Sequence, residues 1–168
     1  YVLKKKTSSQ FDTLIESLPY ISQQNNFFLL ACDAFGHFDR KMFNKFLQEE
    51  KPDVVLFCFR PTLMHTKLRN RHSKILIDGH RVNQIDVKGI DGIGKFGLAG
   101  FFWIENGSIF CSAANLQRPE NREMIIDDVF KYFVREGYKI CAYLLDRYVH
   151  LGSPEEYQEY KYWTSRTN

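Results

Sequence analysis

The sequence predicts an α/β domain with a mixed, mostly parallel β-sheet flanked by helices, and three observations carry that reading. Residues 27–32 (FFLLAC) and 53–59 (DVVLFCF) are apolar almost throughout, as strands covered on both faces should be. A stretch with helical spacing precedes each of them, so residues 11–59 read helix, strand, helix, strand. From residue 73 onward, alternating segments separated by turn residues mark hairpins added to the same sheet.

In residues 11–18 (FDTLIESL), Phe11, Leu14, Ile15 and Leu18 share one helical face. Asp39 is placed to cap a second helix over 40–49, with Met42, Phe43 and Phe46 on one side. Lys51 and Pro52 end that helix. Residues 73–77 and 81–87 read as a hairpin around Asp78 and Gly79. Residues 98–104 and 108–112 read as two more strands around the turn Glu105, Asn106, Gly107. Residues 125–135 read as a helix, 138–145 as an apolar run of either type, and 154–163 as a polar, tyrosine-rich helix.

At 168 residues, 44% hydrophobic and 26% charged, the chain has enough material for one core, and its composition excludes a disordered protein. Residues 1–168 are therefore expected to form a single domain, cut from a longer protein because neither an initiator Met nor a leader is present. No apolar run approaches the ~20 residues of a membrane span. Cys32, Cys58, Cys111 and Cys141 lack the short spacing of a zinc knuckle, and three of them sit in apolar runs. That usage points to a reduced, intracellular setting, cytoplasmic or nuclear.

The net charge of +3 is uninformative, but its distribution is not. Residues 54–77 hold Arg60, Lys67, Arg69, Arg71 and Lys74, with His65 and His72 and no acid. Gly92, Gly94 and Gly97 spell G-x-G-x-x-G, but a strand-like segment follows where a dinucleotide fingerprint needs a helix, so a hairpin loop is the plainer reading. His72-Ser73-Lys74 enters an apolar strand, whose alternation places residues i and i+2 on one face. An imidazole and an ammonium together suit a phosphodiester, one attacking phosphorus or moving a proton, the other neutralising an oxygen. His65-Thr66-Lys67 is a second copy, and His80 a further histidine. Asn115 follows small residues and offers donors to an anion; a turn or cap role is its alternative. Glu123 is able to fix an imidazole tautomer, or to sit on a solvated face.

The order His72-x-Lys74, then Ser112-Ala113-Ala114-Asn115, then Asn121-x-Glu123, resembles one half of the phospholipase D superfamily, whose H-x-K-x4-D signature is followed by G-S-x-N and a later acid. The resemblance spans roughly residues 65–135 and is nearest the nuclease and restriction-endonuclease members. It implies a phospholipase D-like half-fold and a metal-independent phosphodiesterase without cofactor. His72 would be the nucleophile forming a phosphohistidine, Lys74 and Asn115 would bind phosphate, and Glu123 would orient the histidine. Arg60, Lys67, Arg69 and Arg71 would track a DNA or RNA backbone. With one half-site per chain, a homodimer would complete the active site. Ser112 and Ala113 in place of Gly and Ser, and Asp78 in place of an acid at 79, support another reading: a non-catalytic nucleic-acid-binding or assembly domain. A structural part of a larger protein, presenting Tyr157, Tyr160, Tyr162 and Trp163 to a partner, is a third.

Overall fold

The structure, a computed structural model, describes residues 6–7, 9–61, 72–89, 95–116 and 125–165. Helix α1 (Gln10–Ile21) begins where the Ser9 hydroxyl accepts the Asp12 N–H at 3.0 Å, and it buries Phe11, Leu14 and Leu18. Strands β1 (Phe27–Leu30) and β2 (Ala34–His37) follow, then α2 (Arg40–Glu50). Asp39 caps α2 by accepting the N–H groups of Lys41 and Met42, and Lys51 ends it in the left-handed region at φ 46°. Phe43 and Phe46 are buried as the spacing predicts, whereas Met42 is exposed.

Strand β3 (Val54–Phe59) is buried along its whole length. Strands β4 (Lys74–Asp78) and β5 (Arg81–Asp86) form the predicted hairpin, with Gly79 at φ +56° as the first of two loop residues. A 3₁₀ turn (Val87–Gly89) leads away from β5. Strand β6 (Phe96–Ile104), helix α3 (Gly107–Leu116), helix α4 (Ile126–Arg135), strands β7 (Ile140–Leu144) and β8 (Arg147–His150), and helix α5 (Pro154–Thr164) complete the described elements.

Six strands form one sheet in the order β1-β6-β3-β7-β5-β4, and β2 pairs with β8 in a separate two-stranded sheet. Side chains of β3 alternate between two cores. Val54, Leu56 and Cys58 pack with α1, α3 and α4, while Val55, Phe57 and Phe59 pack with α2 and the aromatic residues around it. That double coverage is why the segment tolerates no polar residue, and the predicted α/β architecture with a mixed sheet is present.

Three expectations need correction. The sheet is not mostly parallel: β3–β7 is a parallel pair, and every other pairing described in the large sheet is antiparallel. Strands β1 and β3 point the same way, but β6 lies between them and pairs with both. Strand β1 ends the sheet among the described residues, leaving Phe28 and Leu30 exposed, so its apolar run is not covered on both faces. Finally, residues 108–112 belong to a helix. The Asn106 side chain accepts the Ile109 N–H at 3.1 Å, so the Glu-Asn-Gly read as a hairpin turn is a helix start. Phe110, Cys111, Ala113 and Ala114 then face the core at helical intervals.

The four cysteines are free thiols; Cys58, Cys111 and Cys141 are buried, while Cys32 is exposed. Among the described residues no helix is long and apolar enough to cross a membrane.

Candidate functional site

Polar and charged side chains gather where the small β2–β8 sheet meets the entry to β4. His72 precedes β4 and its side chain is 11% exposed. Its ring stands edge-on to Phe59 at 5.4 Å and to His150 at 4.9 Å. Tyr148, two residues before His150 on β8, stacks on Phe59 at 4.1 Å and completes an aromatic wall. Burial raises the Tyr148 phenol, and the negative charges of Glu156 and Asp33 raise it further, so it stays neutral.

Glu156 ties these groups together. Ser153 and Pro154 open α5 as cap and first helical residue, which puts Glu156 at the third position, facing back toward β8. Its Oε2 accepts from His150 Nδ1 at 2.7 Å and from the Ser153 hydroxyl at 2.7 Å, while Oε1 lies 3.4 Å from His72 Nε2. Burial, the largest single influence, opposes its ionisation. The donors Ser153, His150 and His72 together outweigh that and hold the carboxyl down at about 2. On its other side, His150 Nε2 faces Asp33 Oδ2 at 3.6 Å. Gly152 leaves room here, since a Cβ would lie 2.5 Å from His150 Cε1 and 2.6 Å from Asp33 Oδ2 and would make these side chains shift. One donor atom each from His72, His150 and Glu156 lies within 4.8 Å of the others, a grouping able to hold a metal ion.

His72 and His150 border a cavity of about 250 Å³, whose wall also includes Asp33, Ser73, Lys88, Asp127 and Tyr148. Lys88 adopts left-handed backbone angles (φ 56°, ψ 20°) within the 3₁₀ turn, and its N–H donates to the Ser73 hydroxyl at 3.0 Å. Asp127, in the first turn of α4, is pushed up to about 6 mainly by burial. Asp128 adds to the rise, against the Ser73 hydroxyl and the Lys88 charge. The cavity therefore presents Lys88, two imidazoles, the Asp33 side chain and, at Asp127, a carboxyl raised to about 6. Such a set can neutralise a phosphate, hydrogen-bond sugar hydroxyls and accept a proton.

Of the residues singled out from the sequence, His72 is at this cavity. Lys74 begins β4, but the regular strand starts only there, so the alternation that would align it with His72 does not extend back to residue 72, and Ser73 lines the cavity instead. Asn115 is exposed near the end of α3, not at the end of a strand, and Arg60 is exposed after β3. His80 packs edge-on against Phe46, and Phe46 belongs to the α2 core. Glu123, Lys67, Arg69, Arg71 and His65 lie outside the described residues. Gly97 lies in β6, where a Cβ would meet the Phe59 ring at 2.4 Å, so its glycine serves packing; Gly92 and Gly94 lie outside the described residues. Asp33, Lys88, Asp127, His150 and Glu156 went unread. Ser153-Pro154-Glu155-Glu156 carries a capping-box signature that would have located Glu156 at a helix start, though not its partners.

No family profile matches the sequence, and no curated protein does. Solved structures do. A protein assigned as a glucose-1-phosphate thymidylyltransferase from Bacillus anthracis, in complex with sucrose, superposes with a TM-score of 0.76 at 13% identity, over 100% of this chain and 65% of that one. UDP-glucose pyrophosphorylase complexed with UDP-glucose gives 0.76 at 16% identity, over 99% and 66%. The inositol-1-phosphate CTP transferase from T. maritima gives 0.67 at 16% identity, over 93% and 61%. The chain thus spans less than two-thirds of the length of each. At these identities the likeness establishes a shared fold. It overturns the phospholipase D resemblance, and with it the expected nuclease, hydrolase and phosphohistidine chemistry and the alternative of a degenerate phospholipase D-like site. The physical reason lies in α3: the small-residue turn on which that resemblance depended is a helix, and its Asn115 is exposed and does not line the cavity that His72 borders.

Proposed function

We propose that the cavity binds a phosphorylated sugar, as the sugar-phosphate side of a nucleotidyltransferase reaction of the kind named for the structural neighbours. The observation that carries this reading is the coincidence of that fold, matched over nearly the whole chain, with a cavity holding Lys88, Asp127, His72 and His150 together. At about 250 Å³ the cavity is below the ~300–1,000 Å³ usual for drug-sized ligands, which favours a monosaccharide phosphate over a whole nucleotide sugar. Lys88 offsets phosphate charge, and the Ser73 hydroxyl holds its backbone N–H. Asp127 accepts hydrogen bonds from sugar hydroxyls when ionised, and is available to take a proton near neutral pH. In the complete reaction a phosphate oxygen of the sugar phosphate attacks the α-phosphorus of a nucleoside triphosphate as the bond to pyrophosphate breaks. That transfer belongs to the proposal for the whole protein.

Calorimetric titration of the full chain with glucose 1-phosphate, inositol 1-phosphate, UDP-glucose and inorganic phosphate tests the reading. The sugar phosphates are expected to bind, and Lys88→Ala to weaken them by about tenfold, the value of one charge-assisted contact. Absence of binding by every sugar compound, or equal binding of inorganic phosphate, would falsify it.

A further inference from the structure

His72, His150 and Glu156 come from the entry to β4, the end of β8 and the first turn of α5, and only the tertiary fold joins them. Their side chains are 11%, 20% and 5% exposed, and Phe59 and Tyr148 shield the His72 ring. We propose that these three side chains bind one divalent transition ion of the zinc class, with a remaining coordination position open to the cavity.

One ligand atom from each residue lies within 4.8 Å of the others, and one measured edge already has the length a tetrahedral site needs. A tetrahedral site with bonds of ~2.0–2.1 Å has ligand-to-ligand edges of about 3.3 Å. His72 Nε2 and Glu156 Oε1 already stand 3.4 Å apart. His150 Nδ1 and Glu156 Oε2 are at hydrogen-bond distance, 2.7 Å. Ligation needs His150 Nδ1 and His72 Nε2 bare, so each neutral ring carries its single proton on the other nitrogen, and a ring that starts as imidazolium releases its second proton to solvent. The supporting contacts are those that metal ligands use. The second nitrogen of His150 faces the Asp33 carboxylate at 3.6 Å, and Ser153 donates to Glu156. Gly152 leaves the His150 ring unobstructed. Two imidazoles and one carboxylate favour zinc, cobalt or nickel over magnesium or calcium, which take oxygen ligands. Because both imidazoles also border the cavity, an ion held here has its open side toward whatever the cavity binds.

Ion binding by these residues is independent of which phosphorylated sugar the cavity takes, so it is measured with no sugar or nucleotide present. The full chain, stripped with a chelator and dialysed, is titrated with Zn²⁺ in competition with a chromophoric chelator, and separately with Co²⁺ while visible absorption is recorded. One Zn²⁺ per chain, retained in excess Mg²⁺, and the intense spectrum of tetrahedral Co²⁺ are expected. His72→Gln and His150→Gln should each weaken Zn²⁺ on the order of 100-fold, with Asn115→Ala unchanged. If either variant fails to fold, histidine-ring nitrogen NMR of the unaltered protein decides: two of the five histidines should shift when Zn²⁺ is added. Absence of stoichiometric zinc binding, zinc binding that survives both replacements, or unmoved ring signals overturns the proposal. None of those results bears on sugar-phosphate binding, and loss of sugar-phosphate binding does not bear on them.

Discussion

Glu156 and Asp127 both stand in the first turn of a helix, Asp127 lining the cavity and Glu156 bonded to the two histidines that line it, and they hold their protons in opposite ways. The partial positive charge of a helix N-terminus favours the carboxylate at both, so it is not what separates them. Burial opposes ionisation at both and is the largest influence on each. The difference is in the donors. Glu156 receives Ser153, His150 and His72, whereas Asp127 has the Ser73 hydroxyl and the Lys88 charge against the added repulsion of Asp128. Three donors overcome desolvation; one donor and one opposing charge do not. A pair of carboxyls pushed apart in this way is the usual arrangement for dividing charge holding from proton transfer.

Removing the donors' common acceptor should break the comparison most severely. Glu156→Ala removes the acceptor shared by two imidazoles and the Ser153 hydroxyl, and a loss of roughly 2–4 kcal/mol is expected in urea unfolding at pH 7. Glu156→Gln should cost less because it can still accept.

Acid titration of stability sharpens the contrast. Glu156, depressed from 4.5 to about 2, contributes stability that is present above pH 4.5 and lost as pH falls toward 2. Asp127, raised from 3.8 to about 6, behaves in the opposite sense: the folded state keeps a proton that the unfolded chain releases, so stability declines as pH rises from 3.8 to 6. Between them the two groups place a local stability maximum near pH 4. Asp127→Asn should remove the decline and raise stability at pH 7 by roughly 1–2 kcal/mol, allowing for partial solvent exposure. An unchanged slope between pH 4 and 6 would mean that Asp127 ionises normally.

A smaller effect comes from Ser73, whose hydroxyl serves both Lys88 and Asp127. Ser73→Ala should cost about 1 kcal/mol and move the Asp127 titration further upward, since a donor to the ionised form is gone. The smallest change is expected at Asn115, exposed on α3. Asn115→Ala should leave stability within about 0.5 kcal/mol of the parent and sugar-phosphate affinity unaltered.

How far the fold was legible depended on whether a pattern has one physical cause or two. The run at β3 read correctly because residues alternating into two cores must all be apolar. Strand β1 has the same appearance, yet ends the described sheet, because an apolar run records hydrophobicity and not the number of neighbours. Asn106 and Gly107 are equally good as a hairpin turn or a helix start. The decision came from Phe110, Cys111, Ala113 and Ala114 finding α1 and α4 to pack against. The short strands β2 and β8 carried no run long enough to be seen, and they position Asp33 and His150.

By itself the amino-acid sequence determined the α/β class, the helices α1, α2, α4 and α5 and the β4–β5 hairpin, and it singled out His72, which lines the cavity. Each of these follows from interactions local in the chain: side-chain period, caps and turn residues. Tertiary structure alone decided that His72 lies against His150 and Glu156. His72 and Glu156 are 84 residues apart, and hydrogen bonding across that distance leaves no mark in local spacing. The charge states of Glu156 and Asp127 were decided there too, since desolvation and donor number belong to the packed site and not to the residue.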